Sequence, residues 1–138
     1  MAVTRTQMAP GSPTFSRFVA GFWRLRDWKM SKQTLLTYVE QCIELGVTTM
    51  DHAMVYKSEG LFGEALQLNP SLRQKMEIVT KYGIRPSGFG ALGAQAINHY
   101  DSSKAHIIAS VENSLRELQT DHVDLWQLHN IQRLEEIE

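Results

Sequence analysis

The 138-residue sequence contains a single cysteine, Cys42, so no intrachain disulfide can form. Disulfides accumulate in oxidising compartments, and this sequence therefore favours a reducing, cytoplasmic setting. Long apolar runs are also missing, since no stretch approaches the roughly 20 residues needed to cross a bilayer. The first residues, MAVTRTQMAPGSP, lack the apolar segment of a signal peptide. We therefore expect a protein that has no membrane partner.

An excess of charge of one sign is absent as well. Fourteen Lys and Arg residues offset fifteen Asp and Glu residues, which leaves a net charge of −1. Without a basic field, the composition does not favour nucleic acid as a partner. Gly60 and Gly63 follow no glycine-rich turn, so they do not predict a phosphate-binding loop. Four of the histidines lack the mutual spacing of metal ligands, which predicts surface or core-edge positions and no metal site. They are His52, His99, His106 and His122.

The sequence does contain short apolar segments that alternate with amphipathic ones. This alternation predicts βαβ units and a parallel sheet of the α/β class. Residues 84–101 read as a loop with little charge. Strands are predicted over residues 17–23, 47–51, 76–83 and 123–129, and helices over residues 31–46, 58–68 and 102–118.

Local signals define the ends and faces of these elements. Residues 1–16 are polar and broken by Pro and Gly, which predicts an arm or a short hairpin before the main unit, residues 17–138. Ser31 is a plausible N-cap, and Gly46 stands where a helix often ends in a left-handed residue. Helix 102–118 carries one apolar stripe. Its members are Ile107, Ile108, Val111, Leu115 and Leu118.

Polar residues stand where the four predicted strands end. Gly21 and Trp23 end the first strand, Asp51 the second, Lys81 the third and His129 the fourth; Tyr56 follows Asp51 after a short loop. In parallel α/β folds, the carboxyl ends of the strands meet at one edge, and ligand sites form there. The sequence therefore predicts that four ionisable side chains converge on one rim. These are Asp51, Tyr56, Lys81 and His129.

Such a set can carry out proton transfer. A phenol is a poor acid, with a free pKa of about 10, but a nearby ammonium group stabilises the phenolate and makes proton donation easier. A carboxylate can hold the ammonium in place, and an imidazole can orient a carbonyl group. Together they would protonate a carbonyl oxygen while a hydride reaches the carbon. The hydride requires a nicotinamide cofactor.

Each of these residues also has an ordinary interpretation. Asp51 alone would most often cap a turn, and Lys81 alone would be a solvated surface residue. Tyr56 alone would be an amphipathic rim residue, and His129 a hydrogen-bonded residue at a strand end. An aromatic residue such as Trp23 more often packs in a core than contacts a cofactor. The joint occurrence at successive strand ends favours the site interpretation.

Longer stretches of the sequence resemble the aldo-keto reductase superfamily. GVTTMDHAMVYKSEGLFG (46–63) is similar to the first signature of that family, and EIVTKYG (77–83) to its strand that ends in the active-site lysine. SVENSLRELQTDHVDLWQLH (110–129) is similar to its third helix and the strand that ends in the active-site histidine. RFVAGFWRL (17–25) adds to the resemblance, and the sequences of these segments are most similar to the bacterial monomeric oxidoreductase branch.

The resemblance implies a role for each matching residue. Tyr56 would be the general acid, Lys81 would lower its pKa, Asp51 would anchor Lys81, and His129 would orient the substrate carbonyl. Reduction of small aldehydes or ketones to alcohols would follow, with NADPH as the hydride donor. Its nicotinamide end would be faced by Gly21, Trp23 and Asp51.

The resemblance also implies a (β/α)8 barrel, of which this sequence would supply the N-terminal half. A full barrel takes about 250 residues, whereas this sequence stops just after a fourth strand. In the family, the second half carries most of the NADPH contacts. Two expectations therefore stand: an incomplete reductase, or a non-catalytic half-barrel. The second would self-associate through an open sheet edge and an apolar face, or pair with a complementary half.

Overall fold

A parallel sheet forms the centre of the molecule. The computed structural model describes residues 3–85 and 99–129. All pairs within the sheet are parallel, and the strands lie side by side in chain order, so helical crossovers connect them. This arrangement confirms the predicted α/β half-barrel. The strands are β3 (Val19–Gly21), β4 (Thr49–Asp51), β5 (Glu77–Tyr82) and β8 (Leu125–Leu128).

Three helices lie close to the predicted segments, and a short helix directly after the first strand of the sheet was not predicted. The helices are α1 (Leu25–Trp28), α2 (Lys32–Glu44), α3 (Glu59–Leu66) and α4 (Lys104–Leu118), with 3-10 turns at Met54–Tyr56 and Pro70–Lys75. The predicted ends of α2 are confirmed, because the Ser31 hydroxyl accepts a hydrogen bond from the Thr34 N–H at 3.1 Å. Gly46 follows the helix with φ at +83°. Within residues 3–85 and 99–129, no helix is long and apolar enough to cross a membrane.

Two antiparallel pairs lie outside the sheet. The N-terminal arm forms a hairpin of β1 (Arg5–Gln7) and β2 (Thr14–Ser16). The predicted loop 84–101 is wrong at both ends, where β6 (Ile84–Arg85) pairs with β7 (His99–Tyr100). Strands of two residues are too short to show an alternating pattern in sequence. The rest of that loop, residues 86–98, lies outside the described residues.

The core fills the space between the sheet and the helices. Fully buried side chains from two strands, from the residue that follows β3 and from two helices meet there, namely Phe22, Met50, Phe62, Ile78 and Leu118. Helix α3 approaches α4 closely at Gly63, where a Cβ atom would lie 2.1 Å from the carbonyl oxygen of Glu117. Gly63 therefore lowers helix propensity but permits the contact that holds α3 in place.

The buried face of α4 differs from the predicted apolar stripe. Leu118 is buried as predicted, but Ile108 is 46% exposed. Small polar residues face the interior instead, because the close approach of α3 and the buried carboxylate of Glu59 favour small hydroxyl side chains. The buried residues of α4 are His106, Ser110, Asn113, Ser114 and Leu118.

Candidate active site

The register of the sheet brings the predicted site residues to one edge. Gly21 pairs with Asp51 across β3 and β4, and Lys81 pairs with Gln127 across β5 and β8. The backbone N–H of His129 donates to the carbonyl of Tyr82 at 2.7 Å, which extends this pairing past the end of β8. The carboxyl ends of all four strands therefore form one rim.

Lys81 lies at the centre of this rim. Its ammonium donates to Asp51 Oδ1 at 2.6 Å and to the backbone carbonyl of His52 at 2.8 Å. The Lys81 and Asp51 side chains are 15% and 29% exposed. An ion pair that is partly shielded from water is held more firmly than one on the open surface. The ammonium group is therefore fixed in position by two acceptors.

Tyr56 lies beside this ion pair. It ends the 3-10 turn Met54–Tyr56, and Lys57 then adopts a left-handed conformation with φ at +53°. The Lys81 Nζ atom lies 5.4 Å from the centre of the Tyr56 ring. The His129 ring meets the Tyr56 ring edge-on, with 5.8 Å between their centres. The structure thus brings all four residues together, and their catalytic roles stay a prediction.

The surroundings of His129 favour the neutral form of its imidazole. Partial burial lowers its pKa, and the positive charge of Lys81 lowers it further, against an opposing effect of Asp51. A neutral imidazole has one N–H donor and one acceptor nitrogen. His129 can therefore donate a hydrogen bond to a carbonyl oxygen near Tyr56 without carrying a charge.

Gly21 and Trp23 leave an open surface next to Asp51. A Cβ atom placed on Gly21 would meet no other atom within 4 Å. Trp23 is 67% exposed, and the Arg24 guanidinium lies 5.4 Å from its ring centre. The packing interpretation of Trp23 is wrong, because β3 ends at Gly21 and Trp23 lies beyond the sheet. Open space, an exposed aromatic ring and an adjacent ion pair fit the planar end of a nicotinamide cofactor.

Sequence reasoning placed His52 incorrectly, since its ring is fully buried rather than at the surface or core edge. It stacks on Phe22 with 4.7 Å between ring centres and contacts Phe62. Within the part of the chain that the structure describes, neither ring nitrogen of His52 has a hydrogen-bond partner. Burial, aided by Lys81, lowers the His52 pKa to about 3. Strand alternation after Asp51 could have placed this side chain on the helix-covered face.

A buried carboxylate, Glu59, was also missed. Glu59 is 3% exposed. Its Oε1 atom accepts from the Thr80 hydroxyl at 2.5 Å, and its Oε2 atom from the Ser114 hydroxyl at 3.0 Å. Burial raises the pKa of Glu59, while the two hydrogen bonds act in the opposite direction. The i, i+3 spacing of Glu59 and Phe62 could have placed it on the buried face of α3.

A metal site is not apparent at this rim. Among the described side chains, no group of three or more His, Cys, Asp or Glu residues could hold a metal ion. His106 is buried in α4, and the side chain of His122 is 57% exposed. Among the described side chains, the rim offers one ion pair, a phenol and an imidazole.

The fold and the rim together define the first half of an α/β barrel with an ionisable cluster at its strand ends. The family model of the Aldo/keto reductase family matches residues 17–138. This chain therefore belongs to the aldo/keto reductase family.

Several known proteins are similar to this chain. The chain is 49% identical over 130 residues to oxidoreductase YdhF of Escherichia coli, a match that covers 92% of this chain and 43% of that protein. It is 42% identical to the 6-dehydroglucose reductase of Agrobacterium fabrum, with 83% and 39% covered. A solved aldo-keto reductase from Bacillus halodurans, in its holo form, superposes with a TM-score of 0.73 at 29% identity, with 92% and 40% covered.

The chain spans less than half the length of these relatives. A solved putative aldo-keto reductase from Pseudomonas aeruginosa has the same fold, with a TM-score of 0.75 at 24% identity, and 91% of this chain matches 46% of that one. These comparisons support the oxidoreductase family and give no support to the non-catalytic alternative.

Proposed function

We propose that this chain supplies the proton-transfer half of an NADPH-dependent reductase that converts aldehydes or ketones into alcohols. The observation that carries the proposal is the position of the Lys81 ammonium. It is fixed by Asp51 and lies 5.4 Å from the centre of the Tyr56 ring. A cation held beside a phenol stabilises the phenolate that remains after the proton has left.

The roles follow from the contacts. Bound NADPH would supply the hydride that adds to the carbonyl carbon. The Tyr56 hydroxyl donates its proton to the carbonyl oxygen, so the product is an alcohol and Tyr56 is left as a phenolate. Lys81 stabilises that phenolate, while Asp51 and the His52 carbonyl hold the ammonium group. The neutral His129 imidazole donates a hydrogen bond that orients the carbonyl.

Two further observations support the choice of cofactor and substrate. Gly21, Trp23 and Asp51 would hold the nicotinamide end, since they border the open surface on the rim. The relative named 6-dehydroglucose reductase supports a small carbonyl compound as substrate. We include in the proposal a cytoplasmic setting, and an assembly between chains that covers the open edge of the sheet.

The test is a Tyr56→Phe substitution, which removes only the phenolic hydroxyl. We expect NADPH-dependent reduction of a panel of small aldehydes and ketones, followed by NADPH absorbance, to fall below detection. Binding of NADPH, followed by cofactor fluorescence, should be unchanged. Tyr100→Phe is the matched control, because Tyr100 is exposed on β7 and pairs with Ile84 rather than with a residue of the ion pair. Full turnover in Tyr56→Phe would overturn the proposed function.

A further inference from the structure

Tyr56 and Lys81 lie on separate segments of the chain. Tyr56 belongs to the 3-10 turn that leads into α3, whereas Lys81 lies on β5. The contact between them is a ring and an ammonium 5.4 Å apart, which is weaker and less directional than a hydrogen bond. Proton transfer is sensitive to shifts of about 1 Å. Lys81 also donates to Asp51 and to the His52 carbonyl, but these acceptors lie four or more residues before Tyr56 and do not by themselves fix the Tyr56 ring beside Lys81.

Glu59 supplies a direct link between these segments. It lies three residues after Tyr56, in the first turn of α3, and accepts a hydrogen bond from Thr80, the residue that precedes Lys81. Its other oxygen accepts from Ser114 on α4. The first of these two bonds joins the segment of Tyr56 to the strand of Lys81. The second joins α3 to α4 and does not involve the strand that carries Lys81.

We propose that Glu59 is a positioning residue, whose hydrogen bond to Thr80 sets the distance between Tyr56 and Lys81. The effect on turnover rests on the proposed function, whereas the effect on distance does not. Stability alone does not account for a carboxylate here. A buried carboxyl group costs free energy compared with an apolar side chain of similar volume, and α3 already packs through Phe62 and the close contact at Gly63.

Three substitutions separate this role from a general structural one. Thr80→Val removes the hydroxyl that links Glu59 to β5 and keeps the side-chain shape. Ser114→Ala is the matched control, because it removes the other hydroxyl from the same carboxylate. Thr80→Ser keeps a hydroxyl at residue 80 and serves as the rescue variant. Each variant leaves Glu59 itself unchanged.

The first measurement is the nuclear Overhauser cross-peak between the Tyr56 ring protons and the Lys81 side-chain protons in the full chain. We expect this cross-peak in the unsubstituted chain, in Ser114→Ala and in Thr80→Ser, and its loss in Thr80→Val. Its presence in Thr80→Val would overturn the proposal. Its loss in Ser114→Ala to the same extent would also overturn it, because Glu59 would then act only through the general packing of α3.

The second measurement is steady-state carbonyl reduction. We expect Thr80→Val to lower kcat by about tenfold with KM nearly unchanged, since misplacement affects the transition state more than substrate binding. Ser114→Ala and Thr80→Ser should retain kcat within about twofold. A chain that shows the cross-peak but reduces no carbonyl compound would count against the proposed function alone. Unchanged kcat in an active Thr80→Val variant would overturn the positioning role.

Discussion

The two ends of the sheet each carry an ion pair, and the surroundings of these pairs differ. At the carboxyl end, Lys81 and Asp51 lie 2.6 Å apart. At the amino end, Arg73 and Asp124 lie 2.8 Å apart, with side chains that are 12% and 18% exposed. Distance and burial are therefore similar. The pairs differ in the number of other groups with which each one forms hydrogen bonds.

Both members of the amino-end pair make further hydrogen bonds that hold the fold together. Arg73 also donates to the Thr120 hydroxyl and to the backbone carbonyls of Met76 and His122. The Asp124 carboxylate accepts from the backbone N–H of Ile78 at 2.8 Å. Arg73 thus fastens the start of β5 to the connection between α4 and β8. A second pair at this end, between Arg5 and Glu77, attaches the N-terminal hairpin to β5.

The carboxyl-end pair instead lies beside groups that can react. Its neighbours are the Tyr56 phenol, the His129 imidazole and the open surface at Gly21. In α/β barrels, ligands and chemistry belong to the carboxyl ends of strands, and the amino ends serve stability. The comparison teaches that an ion pair must be interpreted by its neighbours, since geometry and burial alone would assign both pairs the same role.

The largest expected effect comes from removal of Lys81. Lys81→Met should lower kcat/KM for carbonyl reduction by about 10³-fold, because the phenolate of Tyr56 loses its stabilising charge. The free energy of unfolding should fall by only about 1 kcal/mol, since Asp51 keeps access to water. Steady-state kinetics and urea denaturation measure the two quantities. Lys104→Met, which removes an exposed ammonium group at the start of α4, is the control.

A loss of stability that matched the loss of activity in Lys81→Met would contradict the contrast between the two ends. It would mean that the carboxyl-end pair, like the amino-end pair, chiefly holds the fold together.

The converse effect is expected at the amino end. Arg73→Ala should lower the free energy of unfolding by about 3 kcal/mol, because Asp124 and two backbone carbonyls lose their donor in a partly buried place. Cofactor binding should be retained under conditions where the variant is folded. Lys75→Ala, a charge removal in the same 3-10 turn, is the control. Urea denaturation measures the unfolding midpoints of both variants. Equal midpoints for Arg73→Ala and Lys75→Ala would contradict the structural role of Arg73.

The sequence predicts the rim better than it predicts the interior. The strand order and the convergence of Asp51 and Lys81 follow from the βα alternation, because parallel strands place their carboxyl ends together. The inward positions of His52 and Glu59 were not predicted, since polar residue types carry a strong expectation of exposure. The predicted apolar stripe of α4 does not match its buried face for a related reason. Ser114 faces the buried Glu59 carboxylate and donates a hydrogen bond to it, a contact that hydropathy alone does not predict.

The smallest of these effects is a pH dependence that arises beneath the carboxyl-end pair. The folded-state pKa of His52 is about 3, against an ordinary value of 6.5. Between pH 3 and pH 6.5, His52 therefore binds a proton in the unfolded chain but not in the folded chain. The contribution of neutral His52 to stability is complete above pH 6.5 and is lost as the pH falls. With about 1.4 kcal/mol per pH unit, the loss between pH 7 and pH 5 is about 2 kcal/mol.

The pKa values of other ionisable groups also differ from their ordinary values in the folded chain, so the measurement must be a difference. The lowered pKa of His129 acts in the same direction as that of His52, whereas the raised pKa of Glu59 acts in the opposite one. We expect His52→Leu, which fills the site with an apolar side chain, to remove about 2 kcal/mol of the pH dependence between pH 7 and pH 5. Urea denaturation at both pH values measures it. An unchanged slope in His52→Leu would show that the imidazole accepts its proton without unfolding.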